Sequence, residues 1–98
     1  MSPIPNSSGP SLSSDGLEPR RKKMLFRAWH RGIKEMDIIL GTFADNHLPS
    51  MAPDDLDTFE HLMDAPDREL FKWISGEADA PDNYRSALFD RIVAFHSR

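Results

Sequence analysis

Apolar side chains recur along this chain at the spacing of helices. The run Lys23-Met24-Leu25-Phe26-Arg27-Ala28-Trp29 predicts a first helix from Glu18 or Pro19 to about His30, proline being tolerated in a first turn. A second helix is expected from about Ile33 to Asn46, with Ile33, Met36, Leu40, Phe43, Ala44 and His47 on one stripe. Gly41 lies inside it at a cost of about 1 kcal/mol relative to alanine, which points to a close helix contact there. Farther on, Ala-Pro-Asp occurs three times, at residues 52–54, 65–67 and 80–82. Proline suits a first helical position, and the aspartate beside it meets the positive end of the helix dipole. Each tripeptide therefore reads as a helix start, predicting helices over about 54–64, 67–75 and 82–97, with Gly76 stopping the fourth. No segment alternates with period two for long enough to build a sheet. The predicted fold is all-α, a small bundle of four to five short helices.

Composition sets off the N-terminal end. Residues 1–19 hold six Ser, four Pro and two Gly with almost nothing to bury. That composition cannot offset the entropy of ordering and reads as a flexible tail. Residues 20–98 are expected to form a single helical domain, near the lower size limit for an independent core. There is no cysteine, so neither a disulfide framework nor a thiolate metal site can staple it. Stability must come from packed side chains, of which Phe26, Trp29, Phe43, Phe59, Phe71, Trp73, Phe89 and Phe95 are the largest. No apolar run approaches the ~20 residues of a membrane span. The N-terminal stretch lacks the pattern of a secretory leader and the basic residues of a transit peptide. The expectation is a cytoplasmic protein without membrane insertion, monomeric when free.

The net charge of -4 hides a strong separation. Residues 20–34 hold seven basic residues and no acidic one, whereas residues 45–82 hold eleven acidic residues and two basic ones. Such a dipolar chain can orient against a charged partner over about one Debye length, roughly 8 Å. The run Arg20-Arg21-Lys22-Lys23 reads as a solvated helix start or as a match for an acidic protein patch. Nucleic acid is a poorer match. The second helix continues with Ile38, Ile39 and Leu40, which cannot read bases, and the acidic second half would repel phosphates. His30, His47, His61 and His96 show no metal-ligand spacing. No phosphate-cradling glycine loop or nucleophile-base-acid set is present, so the chain reads as non-enzymatic.

The segment His30-Arg31-Gly32-Ile33-Lys34-Glu35-Met36-Asp37 joins the first two helices. Gly32 stands where a left-handed cap would end the first one, and the resulting corner should display Arg31 and Glu35 on the surface. In one continuous helix these two would be an ordinary surface pair worth ~0.3–0.5 kcal/mol. On a fixed corner they become a docking feature. Asp37 falls near the apolar stripe, where an unpaired carboxylate is expensive. A neighbouring backbone amide, or a basic side chain of the first helix, is expected to hold it. Downstream, Leu70, Trp73 and Ile74 share a face while Phe71 points about 100° away from Leu70. All four read as core residues, with one exposed aromatic anchoring a partner as the alternative.

Arg31-Gly32-x-x-Glu35-x-Asp37, followed by the acidic-Leu-Phe-x-Trp segment Glu69-Leu70-Phe71-Lys72-Trp73, resembles the signature of the SdhE family. These are small bacterial FAD assembly factors related to the mitochondrial assembly factor for succinate dehydrogenase. The likeness covers roughly residues 20–97. Many bacterial members carry arginine where this chain has His30, and residues 1–19 extend beyond the usual compact domain. The resemblance implies an assembly factor that docks on the flavoprotein subunit of succinate dehydrogenase or fumarate reductase and promotes covalent FAD attachment. It implies docking through Arg31, Gly32 and Glu35, with His30 beside them. Asp37, Leu70, Phe71 and Trp73 would give structural support, and the chain would bind no FAD stably itself. A generic helical protein–protein adaptor and a small nucleic-acid-binding protein are the other readings.

Overall fold

The computed structural model describes residues 17–97. Five helices follow one another: α1 (Pro19–Trp29), α2 (Lys34–His47), α3 (Pro53–Met63), α4 (Asp67–Ser75) and α5 (Ala87–His96). Single 3-10 turns lie at Leu48–Ser50 and Asp82–Tyr84, and the described residues contain no strand. The all-α prediction holds. Two of the three tripeptides act as read: Pro53 opens α3, and Pro66 precedes α4 as its N-cap. Asp54, Asp55, Asp67 and Glu69 occupy the first turns, where each carboxylate interacts favourably with the helix dipole. Gly76 ends α4 at φ 84°, and the Glu77 amide donates back to the Lys72 carbonyl at 2.9 Å. Glycine adopts that left-handed turn without a Cβ penalty.

The third tripeptide behaves differently, and the helix predicted over 82–97 is not one helix. Asp82–Tyr84 makes only a 3-10 turn, Arg85 is extended at ψ 133°, and α5 starts at Ala87. Ser86 sets that start, because its hydroxyl accepts from the Phe89 amide at 3.0 Å and so satisfies an otherwise orphaned donor. The break lets Tyr84 stack on His61, with ring centroids 4.7 Å apart, and lean on Trp73. The signal was a serine just ahead of the periodic run Leu88, Phe89, Ile92.

Helix α2 is central, packing against α1, α4 and α5, and α5 in turn closes on α3 and α4. The buried set is wholly apolar. It runs from Met24, Leu25 and Ala28 of α1 through Met36, Leu40, Phe43 and Ala44 of α2 to Leu88, Phe89 and Ile92 of α5. Ile39, absent from the expected stripe, is buried as well. Phe43 meets Phe59 and Phe95 edge-on, at centroid distances of 5.9 and 5.6 Å. Phe26 departs from the expected core set. It is 61% exposed, because α1 buries the opposite face. Gly41 marks the close helix contact expected of it. The Trp29 indole lies flat where a side chain would project, and a Cβ there would come within 2.3 Å of the ring. The indole N–H donates to Asp45 Oδ1 at 3.3 Å, which fixes the ring in place.

The tail expected over residues 1–19 lies outside the described residues as far as residue 16. Leu17 packs against the core, and the Glu18 carbonyl accepts from the Lys22 amide at 3.0 Å, so both belong to the helical body. Among the described residues, no helix is long and apolar enough to cross a membrane.

Candidate functional site

The corner between α1 and α2 is turned by side-chain bonding and not by glycine. Helix α1 stops at Trp29, and His30 follows at φ -124° and ψ 66°. Gly32 does not form the expected left-handed cap: among the described residues only Gly76 has positive φ. Two carboxylates hold the corner instead. Asp37, in the first turn of α2, accepts from the backbone amide of Arg31. Asp67, the first residue of α4, accepts from the Gly32 amide on Oδ2 and from Arg31 Nε on Oδ1, both at 2.8 Å.

Arg31 therefore corrects a second expectation. Its side chain is only 9% exposed and that of Asp67 17% exposed. Its Nη2 also donates to the Met63 carbonyl at 2.6 Å. The guanidinium points inward because its rigid fork finds a carboxylate and a helix-end carbonyl at the α3–α4 junction. Arg31 and Glu35 lie on separate elements and are not a helix-surface pair. Gly32, Lys34 and Glu35 remain exposed at the apex. A Cβ added at Gly32 would find Asp67 Oδ2 at 3.5 Å as its nearest neighbour, an ordinary contact. Neither backbone conformation nor packing inside this chain demands glycine there. His30 is exposed and donates Nδ1–H to the Phe26 carbonyl at 2.7 Å, while its ring stacks on Phe26 at 3.9 Å.

The charge separation seen in the sequence closes largely on itself. Arg20 bridges Asp57 and Glu60 at 2.5 and 2.8 Å, and Arg27 bridges Asp64 at 2.8 Å. Hydrogen bonding to each other raises the Arg20 guanidinium above its ordinary range and holds the Glu60 carboxyl below its own. Together with Arg31–Asp67, these pairs zip α1 to α3 and to the start of α4. Of the seven basic residues in 20–34, Lys22, Lys23 and Lys34 are exposed and make no ion pair among the described residues, so they carry the basic charge that this segment leaves facing solvent.

The family model described as flavinator of succinate dehydrogenase matches residues 22–96, a span that includes the corner and both carboxylates that hold it. The chain belongs to this family. It is similar to the FAD assembly factor SdhE of Acetobacter pasteurianus, 34% identical over 94% of this chain and 84% of the relative. It is also similar to the mitochondrial succinate dehydrogenase assembly factor 2 of Dictyostelium discoideum, 29% identical over 84% of this chain and 57% of the relative. The factor of the same name from Mycosarcoma maydis is 31% identical over 91% of this chain and 40% of the relative. The chain thus spans most of the bacterial relative but only about half of the mitochondrial ones. No solved structure matches it.

The second motif block packs its apolar side chains against the bundle, while Glu69 and Lys72 stay exposed. Leu70 is fully buried, and Phe71 and Trp73 are partly buried against the core. Sequence reasoning missed Asp67 as the partner of Arg31 and Gly32. The aspartate carried a signal only as a helix start, and nothing local links residues 36 positions apart. It also missed the Phe26–His30 stack, whose four-residue spacing was available to read. Among the described residues, no group of three or more His, Cys, Asp or Glu is placed to hold a metal ion.

Proposed function

We propose that this chain is an assembly factor that docks on the flavoprotein subunit of succinate dehydrogenase, or of fumarate reductase, and promotes covalent attachment of FAD there. The observation that carries the reading is the Gly32–Glu35 apex. It is an exposed, unobstructed corner held by two carboxylates, in a chain of the flavinator family. A glycine that its own fold does not require lets a partner backbone approach closely. Glu35 offers a carboxylate beside it, and His30 borders the same corner. Arg31 acts through the clamp and positions the apex without touching the partner itself.

In this reading the chain is not an enzyme and holds no FAD of its own. Attachment would form a bond between a histidine nitrogen of the flavoprotein and the methyl carbon of the isoalloxazine ring. The methyl C–H bond breaks and its electron pair passes into the oxidised ring. The ring is left two-electron reduced after taking up the methyl and imidazole protons. The nucleophile and the stabilisation of negative charge on the flavin both belong to the flavoprotein. The factor holds the flavoprotein in a conformation where those groups are aligned, and ordering of that kind is worth several kcal/mol. In-gel flavin fluorescence of the denatured flavoprotein, from cells with and without this gene, tests the assignment. The signal and the succinate dehydrogenase activity are expected to fall together in the deletion strain. Normal fluorescence with normal activity would overturn it.

A further inference from the structure

We propose that the outward face of α1, formed by Lys22, Lys23, Phe26 and His30, is a second docking surface that engages an acidic patch of the flavoprotein around an apolar recess for Phe26. This rests on the function proposed above and adds an interface to it. Lys22, Phe26 and His30 follow at four-residue steps, and Lys23 lies three before Phe26, so the four share one side of the helix. The flanks are already occupied. On one side Arg20 binds Asp57 and Glu60 of α3 and Arg27 binds Asp64 just beyond it; on the other Trp29 lies over Gly41 of α2.

The basic residues of this helix divide into two groups. Arg20, Arg21 and Arg27 all have carboxylate partners within the chain. Lys22 and Lys23 are exposed and make no ion pair among the described residues. No acidic residue interrupts the face, so its charge is available to a carboxylate-bearing partner. Phe26 stands 61% exposed between these lysines and His30. Its ring is already ordered by the stack on His30, and His30 is fixed by its bond to the Phe26 carbonyl. A pre-set aromatic rimmed by solvated charge has the anatomy of an interface anchor. The face also runs directly through His30 into the Gly32–Glu35 apex. A phosphate-rich partner fits less well, because guanidinium forks suit phosphate best and every arginine of α1 is engaged internally.

The test is binding of the full chain to the purified flavoprotein subunit, followed by biolayer interferometry at low and high salt. For Phe26→Ala, dissociation should be roughly tenfold faster or more. For Lys22→Glu with Lys23→Glu, association should be roughly tenfold slower at low salt, with the difference closing near 0.5 M salt. Both variants should melt like the parent, since the altered side chains are exposed. If the parent binds and both variants bind equally well, this surface is overturned while the functional assignment stands. If the parent itself does not bind, the assignment fails and the second surface falls with it. A third arm uses phosphatidylglycerol vesicles. If charge reversal abolishes vesicle binding but leaves flavoprotein binding unchanged, the face serves a lipid surface and the proposal is overturned.

Discussion

Arg31 and Glu35 stand four residues apart in one motif, yet their side chains answer to different demands. Arg31 is clamped between Asp67 and the Met63 carbonyl. Arg31→Ala therefore takes the charged partner from a largely buried carboxylate, leaving it the Gly32 amide, and removes a donor from a helix-end carbonyl. The expected loss is ~2–4 kcal/mol, which lowers the melting temperature of a domain this size by roughly 10–25 °C. Glu35→Ala should change stability by less than ~0.5 kcal/mol while weakening flavoprotein binding. Thermal melts of the two variants decide the matter, and equal melting would remove the clamp as a stabilising feature. Gly32 gives the complementary case. Its φ is not left-handed and a Cβ meets only an ordinary contact at 3.5 Å. Gly32→Glu should therefore fold, with repulsion from Asp67 costing under ~1 kcal/mol at this exposed site. The same change should abolish co-purification with the flavoprotein. A variant that melts near the parent temperature yet still binds and supports flavinylation would show that the apex is not the docking surface.

At the scale of elements, the α1–α2 contact turns on one missing side chain. Helix propensity alone says that Gly41→Ala should gain about 1 kcal/mol. Packing says the reverse, since the new methyl would sit 2.3–2.7 Å from three atoms of the Trp29 ring. The ring is rigid and tied to Asp45, so the helices must separate, and overpacking of this kind costs ~1–3 kcal/mol. Gly41→Ala should be destabilising in urea melts, and it should turn stabilising once Trp29 is also replaced by alanine. That reversal of sign identifies the cause; the same sign in both backgrounds would mean that the indole is not what excludes a side chain.

Ion pairs between α1 and the α3 segment line one side of the apolar core. Arg20 lowers the Glu60 carboxyl below its ordinary value of 4.5, so as pH falls the unfolded chain takes up that proton first. The pair's contribution is complete above about pH 4.5 and is lost as pH falls through the lower folded value. Arg20→Gln should therefore flatten the fall in melting temperature between about pH 5 and pH 3. An unchanged acid slope would show that the pair does not couple to folding. Truncation tests the other end of the body. Removing residues 1–16 should leave melting and flavoprotein binding unchanged. Removing two more residues deletes the core contact of Leu17 and the Glu18 carbonyl that receives the first bond of α1. That longer truncation should melt measurably lower.

Local patterning is enough to place four of the five helices and most of their ends, and the two motif blocks point to the family. Periodicity, helix-opening prolines and Gly76 are local signals, acting within a turn or two, and Gly41 announced a close contact because glycine inside a helix is costly without one. The start of α5 at Ser86 was legible in principle, since a capping serine acts over three residues. What the motif residues touch depends on the folded chain. The turn at residues 30–33 depends on Asp67, which reaches Arg31 and Gly32 only after α3 and α4 have folded back. That long-range carboxylate draws Arg31 inward and frees Gly32 from the left-handed role its position suggested. In the same way Asp57, Glu60 and Asp64 pair with Arg20 and Arg27 and leave the lysines outside. Charge along a sequence gives sign and density, but which charges neutralise one another depends on distances that packing alone sets.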